Sequence, residues 1–245
     1  MSDSGTEGSA GLLSLGRVEY ARALELQREL WRLRVEDAIP DTLVLLEHDP
    51  VLTLGRSAKA SNLLVSEAEL VRRGVALCRV ERGGDVTFHG PGQLVGYPVF
   101  KLEQELAGVR AFVERLEAGL CAALGELGVK AGLRPGHIGV WCEERKIASV
   151  GVAVKRRVTF HGFALNVAVD LDWFKLINPC GMPGVCMTSV SAEGGVTDDA
   201  RVRAAVAAGF ERVFGVELQA KVPRTLTSLT DALKTSAIAS TSDCV

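Results

Sequence analysis

Apolar and polar positions alternate along this chain in blocks whose periods predict its elements. Tyr20, Leu24, Gln27, Trp31 and Arg34 recur at helical spacing, with Ala23 and Leu30 beside them, and predict an amphipathic helix over 17–35. Apolar runs at 42–47 and 51–54, split by Asp49-Pro50, predict two strands joined by a turn. Ser66 with Glu69 three residues on forms a capping box, which opens a short helix that stops at Gly74. Strands are expected at 75–80 and 94–100, on either side of a glycine-rich stretch. A longer helix covers 109–127, with Phe112, Val113, Leu116, Leu120, Leu124 and Leu127 on its inner stripe. Strands resume at 138–142 and 147–154 around the polar connection Glu143-Glu144-Arg145-Lys146, then at 163–169, and a last helix covers 198–214. After Val222 the chain turns Ser/Thr-rich and aperiodic, which predicts a disordered tail. Strand clusters interleaved with a few helices predict an α+β fold, a mixed or largely antiparallel sheet packed with helices. The expected division is a flexible N-terminus over 1–11, one domain over 12–220 and the tail over 221–245.

Composition narrows the function classes. With 28 basic against 30 acidic side chains the net charge is -2, so no global field favours nucleic acid or a membrane surface. Aromatic content of 5% argues against base stacking as a mode of recognition. The polar, acidic start lacks a secretory signal, and no apolar run approaches a membrane-spanning length of roughly 20 residues, so a cytoplasmic protein is expected. Six cysteines, at 78, 121, 142, 180, 186 and 244, include no C-x-x-C pair and no zinc-finger spacing. No metal is expected, and most of the cysteines should be buried, reduced and inert.

Candidate chemistry begins at Arg82-Gly83-Gly84-Asp85-Val86-Thr87-Phe88-His89-Gly90-Pro91-Gly92-Gln93. This stretch packs four glycines, a proline and an imidazole into one bend, in the manner of a shaped binding loop. It matches neither the P-loop nor the dinucleotide fingerprint. Three further segments stand out: Lys146-Ile147-Ala148-Ser149-Val150-Gly151, His161-Gly162-Phe163-Ala164-Leu165-Asn166-Val167 and Asn178-Pro179-Cys180-Gly181. By residue statistics alone Cys180 is a small buried hydrophobe and Lys146 a solvated charge. Their order and spacing, together with 45–56, closely resemble those of the lipoyl(octanoyl) transferases, over about 12–214.

That resemblance implies the fold shared by lipoate and biotin protein ligases. It also implies transfer of an octanoyl group from an acyl carrier protein to a lysine of a lipoyl domain, the first step of protein lipoylation. The implied acceptors are the lipoyl domains of 2-oxoacid dehydrogenase complexes and the glycine cleavage H protein. Cys180 and Lys146 become the working pair. The implied acyl-binding segments are Arg82, Gly83, Gly84, Asp85, Val86, Thr87, Phe88 and His89, then Ser149, Val150 and Gly151, then Gly162, Phe163 and Ala164. A thiol of ordinary pKa near 8.5 is mostly protonated at neutral pH, and an ammonium nearby favours the thiolate. The same lysine, once neutral, serves as base toward the incoming amine. Thioester is exchanged for thioester and then for amide, so neither ATP nor a cofactor is needed.

The neighbouring residues carry lesser expectations. Arg82 anchors the loop, Asp85 caps it, His161 orients the backbone before Gly162, and His89 lies near the acyl group without a defined proton-transfer role. Cys186 is read as structural. Amides around Cys180 and Gly181 are candidates for the oxyanion site, and Lys155-Arg156-Arg157 for docking an acidic carrier. The alternatives are an ATP-dependent lipoate or biotin ligase, which needs no nucleophilic cysteine, and a noncatalytic protein that only holds carrier-bound acyl chains.

Overall fold

Successive residues of Thr42–His48 go alternately to two different cores. Leu43 and Leu45 pack on one side, Val44 and Leu46 on the other, as a strand buried on both faces must. The computed structural model describes residues 8–103, 105–220 and 244. In chain order its elements are β1 (Gly8–Val18), α1 (Tyr20–Val35), β2 (Thr42–His48), β3 (Val51–Leu54), α2 (Glu67–Arg72), β4 (Ala76–Arg79), β5 (Val86–His89) and β6 (Gln93–Val99). They continue with α3 (Glu105–Glu126), β7 (Gly132–Arg134), β8 (His137–Cys142), β9 (Arg145–Lys155), β10 (Val158–Asn166), β11 (Cys186–Met187), α4 (Asp199–Phe214) and β12 (Val216–Gln219).

The main sheet runs β12-β1-β2-β6-β10-β9-β8-β7, with β11 added beside β9. Pairing is parallel at β12-β1-β2 and at β11-β9, and antiparallel across β2-β6-β10-β9-β8-β7, so the sheet is mixed. Helices α3 and α4 cover one face. Phe112, Leu116, Leu120, Leu124, Val202, Val206 and Phe210 meet Leu43, Leu45, Leu94, Phe163 and Leu165 there. Helix α1 covers the other face, with Ala23, Leu26, Leu30 and Leu33 against Val44, Leu46, Val95 and Val99. A small sheet, β4-β3-β5, has its own core against Phe174, Leu176 and Ile177.

Several expectations change here. The runs at 42–47 and 51–54 do not form a hairpin: β2 belongs to the main sheet and β3 to the small one. Residues 8–11, expected within a flexible terminus, are part of β1, whose Gly8–Gly11 pairs with β12. The glycine-rich stretch is not a single bend, because 86–89 form β5 and pair with β3. Residues 1–7 and the predicted tail over 221–245, Cys244 excepted, lie outside the described residues. Cys244 is joined to the buried Cys78 of β4 by a disulfide, against the expectation of reduced thiols, and Cys186 is exposed rather than buried. Among the described residues no helix is long and apolar enough to cross a membrane.

Candidate active site

Lys146, the second residue of β9, is only 2% exposed although it follows a polar turn. The β8-β9 hairpin turns at Glu143, whose φ is +54, so the polar turn ends before the lysine and the side chain is carried under the sheet edge. Its Nζ donates to Cys180 Sγ at 3.2 Å and lies 5.3 Å from the centre of the Trp141 ring. Gly139 makes room for it: a Cβ there would stand 2.6 Å from Lys146 Cε. The Gly139 N–H donates to the buried carboxylate of Glu117 at 2.6 Å, whose pKa is raised, chiefly by burial.

Cys180 arrives from 34 residues away on the segment after β10, and that segment is pinned at both ends. On the small-sheet side Asn178 N–H donates to Asn62 O at 2.9 Å, and Asn62 Nδ2 donates to Asp85 Oδ2 at 2.7 Å. On the main-sheet side β11 pairs with Arg145 and Lys146, and Thr188 N–H donates to Lys146 O at 2.9 Å. Between these anchors Pro179–Gly181 form a single 3-10 turn in which Cys180 has φ 56° and ψ 25°. The sulfur is therefore presented from a left-handed residue, not from the extended segment the sequence suggested. The Gly181 amide donates to Asn178 O at 2.9 Å, so it is occupied within the turn and is not a free oxyanion donor. Ser149 Oγ stands 4.0 Å from Sγ.

Beside this pair lies a cavity of about 460 Å³, within the usual range for a small ligand. Of the sequence-predicted site residues it gathers Lys146, Cys180, Arg82, Gly83, Gly84, Asp85, Thr87, His89, Ser149, Val150, Gly151, Gly162, Phe163 and Ala164. Val86 and Phe88 are not among its walls. They point to the opposite side of β5 into the small core, where Phe88 stacks on Trp173 at 5.3 Å between ring centres. The period of two along β5 sends Thr87 and His89 one way and their neighbours the other. Gly162 owes its identity to sheet packing, since a Cβ there would meet Gly96 O at 2.1 Å. Gly151 instead faces the glycine loop, with Gly83 O 3.1 Å from an added Cβ.

Arg82 anchors the loop: Nη2 donates to Thr53 O at 2.7 Å and Nη1 to Gly83 O at 3.0 Å. Asp85 caps it, accepting from Val86 N–H at 2.7 Å and Lys59 N–H at 3.3 Å. His89 is neutral. Burial, with a smaller contribution from His48, pushes its pKa down to about 3, and its Nδ1 donates to Gln93 Oε1 at 2.7 Å. Gln93 Nε2 in turn donates to Phe88 O and Asn166 Oδ1, which fixes the direction of that bond. Such a ring binds and orients; it is a poor proton acceptor at neutral pH.

The sequence reading missed Tyr20, Tyr97, His161 and Met182, all on the cavity wall. Tyr20 and Tyr97 sit inside elements whose apolar patterns absorbed them. His161 adjoins a recognised motif, and its left-handed φ of +57 is invisible in sequence. The Lys155-Arg156-Arg157 cluster is the turn at the far end of β9, nine residues from Lys146 and roughly 30 Å away at the rise of a strand. It does not border the mouth of this cavity. Among the described residues no group of three His, Cys, Asp or Glu side chains could hold a metal ion.

Comparison with known proteins bears on what this arrangement does. Residues 19–211 match the family model of the lipoyl protein ligase A/B catalytic domain. The chain is 50% identical over 189 residues to an octanoyltransferase of Koribacter versatilis, covering 75% of each. It is 45% identical over 207 residues to an octanoyltransferase of Solibacter usitatus, covering 84% of this chain and 94% of that one. Among solved structures, the bipartite lipoate protein ligase of Thermoplasma acidophilum superposes with a TM-score of 0.72 at 18% identity, over 93% of this chain and 92% of that one, a likeness of fold.

Proposed function

The chain belongs to the lipoyl protein ligase A/B catalytic domain family, and from that premise we propose how its residues carry the reaction. It is an acyltransferase that moves octanoyl groups in protein lipoylation, as its octanoyltransferase relatives are named for doing. Cys180 is the nucleophile and Lys146 its proton partner. The 3.2 Å contact between Nζ and Sγ, made across 34 residues of sequence inside a cavity wall, carries this reading.

The cycle balances without another reagent. The Cys180 thiolate attacks the carbonyl carbon of the octanoyl thioester, the carbon–sulfur bond to the carrier breaks, and the departing sulfur takes a proton from the Lys146 ammonium. The acyl group now rests on Cys180 beside a neutral amine. A lysine of the acceptor attacks, its nitrogen gives a proton to Lys146, and the Cys180 thiolate leaves. The octanoyl tail lies in the cavity beside the glycine loop, Ser149 to Gly151 and Gly162 to Ala164. Each methylene buried there contributes about 0.8 kcal/mol. The partners in this reading are octanoyl-acyl carrier protein and the lipoyl domains of 2-oxoacid dehydrogenase complexes and of the glycine cleavage H protein, in a cytoplasmic setting.

Intact-protein mass spectrometry after mixing with octanoyl carrier protein tests the assignment. The wild type should gain one octanoyl group, located at position 180, and Cys180→Ala none. Transfer from free octanoate and ATP that survives Cys180→Ala would replace this reading with an adenylating ligase.

A further inference from the structure

The end of the cavity away from Cys180 is built from polar side chains, which an alkyl terminus does not require. In the β9-β10 register Ala164 lies opposite Ser149, near the sulfur, and His161 lies opposite Val152. Three residues of strand separate the two levels, roughly 10 Å, comparable to an extended eight-carbon chain. His161, Tyr20, Tyr97 and His89 form the wall there, all buried.

Most of these groups are satisfied internally. His48 Nδ1 donates to Val18 O at 2.7 Å, which leaves Nε2 to accept from Tyr97 OH at 2.6 Å, and His89 donates to Gln93. His161 is different. It is 2% exposed, holds a left-handed φ of +57 inside a strand, and gives its backbone N–H to Gln27 Oε1 at 2.8 Å. Neither of its ring nitrogens has a hydrogen-bond partner among the described residues. The nearest carboxylate oxygen, Glu81 Oε2, is 3.7 Å from Nε2. Gln27 Nε2 beside it is also buried and unpartnered. Burial lowers the pKa of His161, so the ring is neutral and offers one donor and one acceptor. Buried polar atoms are rarely left unpaired, and strained residues gather where a ligand is held.

We propose that His161 and Gln27 form a hydrogen-bonding subsite for the far end of the acyl chain. Through it the enzyme accepts an eight-carbon acyl group carrying a hydroxyl on its terminal carbon, and the same wall stops longer alkyl chains. The proposal rests on the reading that this cavity takes the octanoyl group. A terminal hydroxyl accepts from one of these N–H groups and donates to the unprotonated ring nitrogen. A decanoyl tail must instead press methylenes onto the unpaired nitrogens.

The test offers octanoyl-, 8-hydroxyoctanoyl- and decanoyl-carrier protein to wild type, His161→Leu and His161→Asn, and follows adduct formation on Cys180 by intact mass. Wild type should acylate from 8-hydroxyoctanoyl within about fivefold of octanoyl, whereas a buried hydroxyl without a partner costs roughly 10- to 100-fold. In His161→Leu the ratio of hydroxyoctanoyl to octanoyl should fall about tenfold or more. His161→Asn keeps a residue tolerant of positive φ and withdraws the ring, so decanoyl should gain on octanoyl even where the leucine variant does not fold. Rejection of 8-hydroxyoctanoyl by wild type at about 100-fold, or unchanged ratios in the folded variants, overturns the subsite. Wild type that forms no octanoyl adduct at all overturns the parent reading, and the subsite with it.

Discussion

Replacing Lys146 by methionine separates what the amine does for chemistry from what it does for the fold. The side chain is 2% exposed, and among the described residues the only hydrogen bond its Nζ makes is to Cys180. Methionine is similarly long and unbranched, so the contacts with Trp141 and Gly139 survive in outline and no large cavity opens. The substitution also removes a charge held away from water without a carboxylate partner, so stability should hold or rise. Catalysis should fall: loss of a positioned acid and base costs roughly 10²- to 10⁴-fold, equivalent to ~3–5 kcal/mol of barrier. Quench-flow mixing with octanoyl carrier protein, read by intact mass, gives the rate of Cys180 acylation. Mixing preacylated enzyme with a lipoyl domain gives the second half. Both rates should drop while the thermal midpoint does not. Acylation within about threefold of wild type, or a loss that only tracks unfolding, would refute the role given to this amine.

Two further outcomes follow from the cavity and its buried histidines. Gly151→Leu adds a branch 3.1 Å from Gly83 O and 3.4 Å from Arg82 Cδ, so octanoyl transfer should drop about 100-fold with a smaller loss for an acetyl thioester; full octanoyl turnover would remove Gly151 from the acyl path. Burial lowers the pKa of His48 to about 4 and of His89 to about 3, against about 6.5 in the unfolded chain. Between those values the unfolded chain binds the extra protons, so stability is full above about pH 6.5 and falls as pH drops toward 4. The slope approaches ~1.4 kcal/mol per pH unit for each histidine. Urea denaturation at a series of pH values checks this, and a flat profile from 7 to 4.5 would contradict the burial of both rings as neutral groups.

Elements whose signal is local were legible in the sequence. The Ser66 cap, the α3 stripe and the Asp198 start of α4 rest on residues within a turn or two of one another, and each lies where the pattern put it. Strand membership was not legible in the same way. Val51–Leu54 reads like the second arm of a hairpin, yet it pairs with β4 and β5, because which strands pair depends on contacts that periodicity does not encode. The glycine loop shows the same limit at the scale of side chains. The motif marks all of 82–89, but only knowing that 86–89 is a strand separates Thr87 and His89 from Val86 and Phe88. β1 escaped because its pattern is broken by Ser14 and Gly16, and its partners β2 and β12 are far along the chain.

Local rules are broken at three places, and all three border one cavity. Lys146 is buried with a thiol and an indole ring for company, Cys180 is left-handed between a proline and a glycine, and His161 is left-handed inside a strand with both ring nitrogens unpaired. Each works against stability: a desolvated charge, or a backbone state costing of order 1–3 kcal/mol for a residue with a side chain. Core packing would have removed all three, since methionine, glycine and an apolar residue would serve those positions at lower cost. Their convergence from β9, β10 and the turn after it is therefore best explained by the work of the cavity. The amine and sulfur lie at the level of Ser149 and the imidazole three residues further along, which gives the cavity a reacting end and a measuring end.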